Sequence, residues 1–281
     1  MNYLDALHYG NKILKLSKIK NYNLDTEILL SKVLNLKRER LLINLQNEID
    51  KKNFNRFKKL VIRRGKYEPI AYILRKKEFW KNTFKIKRGV LIPRPETEII
   101  VNEVLKLTCS KTSKNFLDIG TGSGCILLSI IKERPYSYGT AIDVSKRAIN
   151  IAICNAKMHH LENKIKFINI DIDKLNHNKY DFIVSNPPYI CNFDLKRLDN
   201  DIRLYEPMVA LQAGLDGLSE IKKLIIKSNN LLKHNGKLIF EIGFDQVNDV
   251  KRLLLNNNFY LNKVCKDIQN LPRVIISTKQ F

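Results

Sequence analysis

From about residue 96 the chain alternates short apolar runs with amphipathic segments, and nothing else in it limits the fold as tightly. "NFLDIG" (115–120), "YGTAID" (138–143), "IKFINID" (165–171) and "YDFIVSN" (180–186) are strand-length and rich in Ile, Leu, Val and Phe. "GCILLSIIKER" (124–134) and "SKRAINIAICNAKMHH" (145–160) follow the first two as helices. A long amphipathic helix, "LSEIKKLIIKSNNLLK" (218–233), precedes a turn and strand, "NGKLIFEIG" (235–243). The tail "NFYLNKVCKDIQNLPRVIISTK" (258–279) reads as two further strands. Strand–helix alternation of this kind predicts an α/β fold with a doubly wound, mostly parallel sheet of seven strands.

Residues 1–80 have a different rhythm and predict a small helical bundle domain. In "DTEILLSKVLNL", Asp25 is the expected N-cap, with Leu29, Leu30, Val33 and Leu34 on one face. In "FNRFKKLVIRRG", Phe54, Phe57, Leu60 and Val61 share a face and Gly65 is the expected C-terminal cap. The stretch "EFWKNTFKIKRGVLIPRPETE" alternates aromatic and polar residues up to Pro93 and Pro95. It predicts a hairpin linker, set at 81–95, before a second domain at 96–281.

Composition narrows the setting. The 281 residues carry 50 Lys+Arg against 28 Asp+Glu, a net charge of +22. Such a balance suits nucleic acid, ribosomes or acidic proteins as partners, but the basic residues are scattered, as compositional drift also produces. The five cysteines are widely spaced, with no C-x-x-C and no zinc spacing, and the five histidines form no metal or triad constellation. No metal is expected, and a reducing, cytoplasmic setting is. The start, with Asp5 and no long apolar run, does not read as a signal peptide, and no membrane span is expected.

"FLDIGTGSGC" (116–125) is a strand entering a Gly-rich turn that opens a helix. Gly120, Gly122 and Gly124 let the backbone approach a ligand, and Thr121 and Ser123 sit between them. No Gly-Lys-Ser/Thr follows, so this is not a P-loop. A G-x-G-x-G preceded by Asp118 looks more like an S-adenosylmethionine loop than a pyrophosphate loop. Asp143 ends the next strand, where a carboxylate can accept both ribose hydroxyls, while Ser145 can cap the following helix. Asp171 ends the third strand, where an acid can accept an adenine amine, and Ile172 can pack on the adenine face. The plainer reading of these last two is a turn.

The fourth strand ends in Asn186-Pro187-Pro188-Tyr189. Two prolines give up backbone donors and stiffen the turn, so Asn186 and Tyr189 are presented rigidly beside the loop. Methyl transfer to an amide or aromatic amine fits. Such a nitrogen is a poor nucleophile and needs alignment more than a strong base. The Asn186 side-chain oxygen can accept one N–H, the Pro187 carbonyl the other, and Tyr189 can stack on the planar group. Proximity and alignment supply up to ~7–11 kcal/mol in favourable cases.

Beyond "NPPYI" (186–190), "DIGTGSG" (118–124) and "AID" (141–143), four stretches carry a resemblance: "EPIAYILRKKEFW" (68–80), "LIPRPETE" (91–98), "YEPMVALQAGLDGL" (205–218) and "EIG" (241–243). With them the chain resembles, over nearly its whole length, the protein-(glutamine-N5) methyltransferases of the PrmC or HemK family. These modify the Gly-Gly-Gln motif of peptide-chain release factors. The resemblance implies a Rossmann-like class I methyltransferase domain, S-adenosyl-L-methionine as cofactor, and class I release factors as partners. It implies that residues 120–124, Asp143 and Asn186 contact cofactor or substrate, and that Asn186 to Tyr189 hold the glutamine. It also implies that the N-terminal helices help to dock the release factor. Two positions depart: Arg75 stands where the family usually has a Gly, and Ile172 where an aromatic often follows the acid. Arg94, Glu96 and Glu98 are read either as ordering the substrate loop or as a surface ion pair.

Two other readings compete. One is an N6-adenine or N2-guanine methyltransferase on DNA or RNA, since an exocyclic amine meets the same site. Such an enzyme needs a base-reading element, and none is evident, so stable nucleic-acid binding is not expected. The other is an inactive cofactor-binding scaffold on RNA, which a lost Asn186 or a damaged glycine loop would favour.

Overall fold

The computed structural model describes residues 1–175 and 179–280; His177 and its two neighbours lie outside them. The chain divides into two compact units, residues 1–75 with 199–205, and residues 76–198 with 206–281.

The first unit is helical: α1 (Tyr3–Leu16), α2 (Tyr22–Leu34), α3 (Arg38–Ile43), α4 (Lys51–Gly65) and α5 (Ile70–Leu74). Leu14, Leu29, Leu30, Leu41, Phe57 and Val61 fill its core, while Phe54 and Leu60 pack at its margin. Gly10 sits where helices cross: a Cβ there would lie 2.6 Å from the Thr26 methyl and 2.8 Å from the Phe57 ring. Two expectations change. Asp25 does not cap α2; the cap position is Asn21, four residues earlier, and Asp25 lies buried in the first turn. There its carboxylate accepts Arg64 Nε at 2.6 Å, an ion pair about 10% exposed on both sides. Gly65 is likewise not a left-handed cap. It ends α4 where a Cβ would lie 3.0 Å from Ser17 Oγ, and Tyr67, at φ 67°, makes the left-handed turn.

The second unit opens with an antiparallel hairpin, β1 (Lys76–Phe79) and β2 (Asn82–Lys85), closed by Trp80 and Lys81. It begins inside the span read as helical, at Lys76. Then come α6 (Glu98–Leu107), β3 (Asn115–Ile119), α7 (Cys125–Glu133), β4 (Tyr138–Asp143), α8 (Lys146–Met158), β5 (Ile165–Asn169) and β6 (Tyr180–Ser185). Helix α9 (Asn200–Tyr205) belongs to the first unit. The second continues with α10 (Ser219–Leu231), β7 (Leu232–Glu241), α11 (Val247–Leu255), β8 (Phe259–Lys266) and β9 (Pro272–Lys279).

Its seven-stranded sheet runs β5-β4-β3-β6-β7-β9-β8, parallel except at β9, which pairs antiparallel to both neighbours. Leu117, Ile183, Leu238, Phe240 and Ile275 anchor one layer of its core. The Phe116 and Phe182 rings stack at 5.2 Å between centroids. Burial on both faces is why these strands read as continuous apolar runs. The chain winds from β3 outward to β5, then returns to β6 on the other side of β3. That reversal opens a crevice at the C-terminal ends of β3 and β6, the place where such sheets bind ligands. Among the described residues no helix is long and apolar enough to cross a membrane.

Candidate active site

The crevice is a cavity of about 540 Å³, a volume suited to a nucleoside-sized ligand. It is walled by the glycine loop after β3, the ends of β4 and β6, and the segment from Gly89 to Thr97.

The glycine loop has its conformation because its residues allow it. Gly120, Gly122 and Gly124 all have positive φ, which a side chain would strain. A Cβ on Gly120 would meet nothing within 4 Å, whereas one on Gly124 would strike Leu128 and Ala152. The first leaves room for a ligand; the last lets α7 and α8 close together. The loop is also tied from behind: Asn155, fully buried on α8, donates to the Ser123 carbonyl at 2.8 Å and to the Lys85 carbonyl at 3.1 Å.

Asp143 stands on the cavity wall with a built-in orientation. Its two oxygens accept Gly122 N–H at 2.9 Å and Ser145 N–H at 2.8 Å. Each carboxylate oxygen keeps a lone pair for a hydroxyl, so the pair suits a vicinal diol. Burial pushes the Asp143 carboxyl above its ordinary range, while those two N–H groups pull it back. Ser145 caps α8 through Ala148 N–H, which frees Asp143 from that task.

Asp171 and Ile172 also line the cavity. The Asp173 N–H, then the Lys223 ammonium 2.7 Å away, hold the Asp171 carboxyl below the usual range. Ile172 is 7% exposed and joins the core as well as the wall.

Three expected residues sit behind the wall rather than on it. Asp118 is fully buried and accepts the Thr121 hydroxyl at 2.6 Å, so it supports the loop from beneath. Burial pushes its carboxyl up to about 7. Gly124 serves packing. Tyr189 turns its hydroxyl to Glu241 at 3.1 Å instead of presenting its ring in the cavity lining. Burial, then the Glu241 charge, pushes that phenol upward.

Thr121, Gly122, Ser123, Asn186, Pro187 and Pro188 are on the wall. Asn186 is half-buried, and its Nδ2 donates to Thr97 Oγ1 at 3.0 Å. The turn is braced by the segment after α9. Ile190 N–H donates to the Leu211 carbonyl and Ala213 N–H to the Ile190 carbonyl. Gln246 Nε2 reaches the Tyr189 carbonyl at 3.2 Å and the Gly217 carbonyl at 3.0 Å. Arg94 is no plain surface pair: its partner Glu206 has a side chain 1% exposed. Glu98 accepts Trp80 N–H at 2.8 Å and so ties the hairpin to α6.

Glu241, Thr97, Gln246 and Glu206 were not singled out from the sequence by chemistry. All but Gln246 lie in stretches that carried the resemblance, and nothing local in those stretches shows their partners. Among the described residues no group of three or more His, Cys, Asp or Glu could hold a metal ion.

Known proteins agree with this architecture. The PrmC N-terminal domain model matches residues 5–74, and the methyltransferase small domain model matches residues 96–198. A release factor glutamine methyltransferase of Fusobacterium nucleatum is 38% identical over 98% of this chain and 78% of its own. One from Clostridium acetobutylicum is 36% identical over 99% of both chains. The ribosomal protein L11 methylase structure from Lactobacillus delbrueckii subsp. bulgaricus shares the fold, with a TM-score of 0.53 at 16% identity, over 73% of this chain and 90% of that one. The cavity can hold the cofactor such enzymes use: Asp143 suits the ribose diol, and the open face of Gly120 leaves room beside the loop. The chain belongs to the release factor glutamine methyltransferase family, whose members are S-adenosylmethionine-dependent enzymes.

Proposed function

We propose that this protein methylates the side-chain amide of the glutamine in the Gly-Gly-Gln motif of class I release factors, in the cytoplasm. One observation carries the reading beyond family membership. Asn186 directly follows β6 on the same cavity wall as Asp143, with its NH₂ group engaged by Thr97 and its oxygen without a hydrogen-bond partner among the described residues.

S-adenosylmethionine, when bound, supplies an electrophilic methyl group. Gly120 to Ser123 and Asp143 would hold the cofactor, and Asp171 and Ile172 would take its adenine end. The protein's remaining task is to deliver a nitrogen whose lone pair is delocalised. Asn186 Oδ1 accepts one N–H of the glutamine amide and the Pro187 carbonyl accepts the other. Both bonds strengthen as the nitrogen gains positive charge, so they favour the transition state over the ground state. The prolines keep the two acceptors from relaxing toward one another. Tyr189 braces the turn through its hydroxyl. After transfer the nitrogen releases one proton to solvent. The helical first unit docks the protein substrate.

The test is transfer of a labelled methyl group to an intact release factor, to the same factor with its Gly-Gly-Gln glutamine changed to alanine, and to duplex DNA. Label on the intact factor alone is the expected result. Label on DNA would reject the substrate and favour a nucleic-acid amine. Asn186→Ala is expected to cut kcat by about 100-fold or more while leaving cofactor affinity near normal.

A further inference from the structure

Glu241 ends β7 beside the end of β6 and is 1% exposed. Its Oε2 accepts the Thr97 hydroxyl at 2.6 Å and its Oε1 accepts the Tyr189 hydroxyl at 3.1 Å. Thr97, itself 2% exposed, accepts Asn186 Nδ2 at 3.0 Å through the same oxygen. Three segments far apart in sequence thus meet in one chain of hydrogen bonds.

The chain has a direction. Burial pushes the Glu241 carboxyl above its ordinary range, while the Thr97 and Tyr189 hydroxyls pull it back. In its ionised form it has no proton to give, and both hydroxyls donate to it. Thr97 has one hydroxyl proton, and Glu241 takes it. The Thr97 oxygen is then an acceptor only, and only the NH₂ end of Asn186 can face it. The carbonyl end of Asn186 remains for the cavity. Without this constraint a half-turn of the amide would present a donor, which repels an incoming N–H.

We propose that Glu241 is a positioning residue which, through Thr97, decides which end of the Asn186 side chain meets the substrate, and which anchors the same turn through Tyr189. It acts without lining the cavity. The role explains how the site recognises the NH₂ end of a glutamine amide rather than its carbonyl end, and it rests on the functional reading above. It also gives the buried acid of "EIG" and the Thr of "PETE" a shared task.

The experiment compares wild type with Thr97→Val, Thr97→Ser, Glu241→Gln and the double variant Thr97→Val/Glu241→Gln. Methyl transfer to an intact release factor gives kcat and KM. Calorimetry with S-adenosylhomocysteine gives cofactor affinity, and thermal melting reports folding. Thr97→Val removes the hydroxyl at nearly constant shape, and Glu241→Gln offers a donor where an acceptor stood. Each is expected to lower kcat about 10–100-fold, with KM and cofactor affinity within about threefold. Thr97→Ser is expected to restore kcat to within about threefold. The double variant is expected to be no worse than the poorer single, because both break one chain.

Wild-type kcat in Thr97→Val and Glu241→Gln would overturn the proposal, as would Thr97→Ser as impaired as Thr97→Val, or a double variant with multiplied losses. If Glu241→Gln does not fold, the Val and Ser variants at Thr97 decide alone. A wild type that labels no release factor would overturn the functional reading and this inference with it. A wild type that labels the factor beside unimpaired variants overturns this inference only.

Discussion

Arg94 Nη2 lies 2.5 Å from Glu206 Oε1, and Glu206 Oε2 accepts the Ile92 N–H at 3.1 Å. The two ends of this contact are 112 residues apart. One buried carboxylate therefore holds the backbone and side chain of the segment that walls the cavity. Removing one partner of such a pair leaves a buried charge without compensation, which costs about 3–5 kcal/mol in a fully buried case. Arg94 is 31% exposed, so water screens part of that loss. Arg94→Ala is expected to lower stability by about 2 kcal/mol, read as a drop in urea midpoint. Glu206→Gln, which keeps an acceptor for Ile92, is expected to cost less than Glu206→Ala.

Asp143 makes a separate prediction. Its carboxylate orders Gly122 and Ser145 and faces the cavity. Hydrogen bonds to a charged group contribute about 1.5–3 kcal/mol. Asp143→Ala is expected to weaken S-adenosylhomocysteine binding by about 10–100-fold in calorimetry, and unaltered affinity would remove its ribose role.

The stability of the protein is expected to depend on pH through Asp118. Burial, set against the Thr121 hydroxyl bond and reinforced by the Asp143 charge, raises its carboxyl from 3.8 to about 7. The folded state therefore holds a proton that the unfolded state releases between those values. The stability that this protonation supplies is complete below about pH 4 and is lost as pH rises through about 7. Chemical unfolding from pH 5 to 9 should show the decline, and Asp118→Asn should flatten it and be the more stable protein at pH 8. A wild type whose stability rises across that range would refute the assignment.

Arg75 adopts φ 59° at the end of α5, a left-handed conformation that costs a side chain about 1–2 kcal/mol. Glycine takes that shape freely, although it gains entropy in the unfolded chain. Its side chain is exposed, so little packing is lost. Arg75→Gly is expected to leave stability unchanged or raise it by about 0.5–1 kcal/mol, measured by thermal melting. The position that departs from the family pattern is thus one where the backbone asks for glycine.

What the sequence determined by itself is whatever depends on neighbours in the chain. The largely apolar runs at Phe116–Ile119, Tyr138–Ile142 and Tyr180–Val184 announced buried parallel strands, because a strand covered on both faces is mostly apolar rather than alternating. The spacing of Gly120, Gly122 and Gly124 between a strand and a helix announced the loop, and the structure gives all three the positive φ that glycine takes without strain. Asp143 was legible from its place at a strand end. Helix α11 was not anticipated: "QVNDVKRLLL" follows Gly243 and carries polar residues through its first turn. The cap assigned to Asp25 failed because a partner 39 residues away, Arg64, draws that carboxylate inward.

Only the tertiary structure decided the surroundings of Asn186. The hydrogen bonds from Asn186 to Thr97 and from Thr97 to Glu241 span 89 and 144 residues. No local pattern encodes such a chain, because each link exists only once the sheet brings the ends of β6 and β7 side by side and the segment before α6 lies against them. Tyr189 shows the same division. Its place in a rigid Pro-Pro turn was readable residue by residue, but the direction of its hydroxyl depended on a buried acid at the end of another strand.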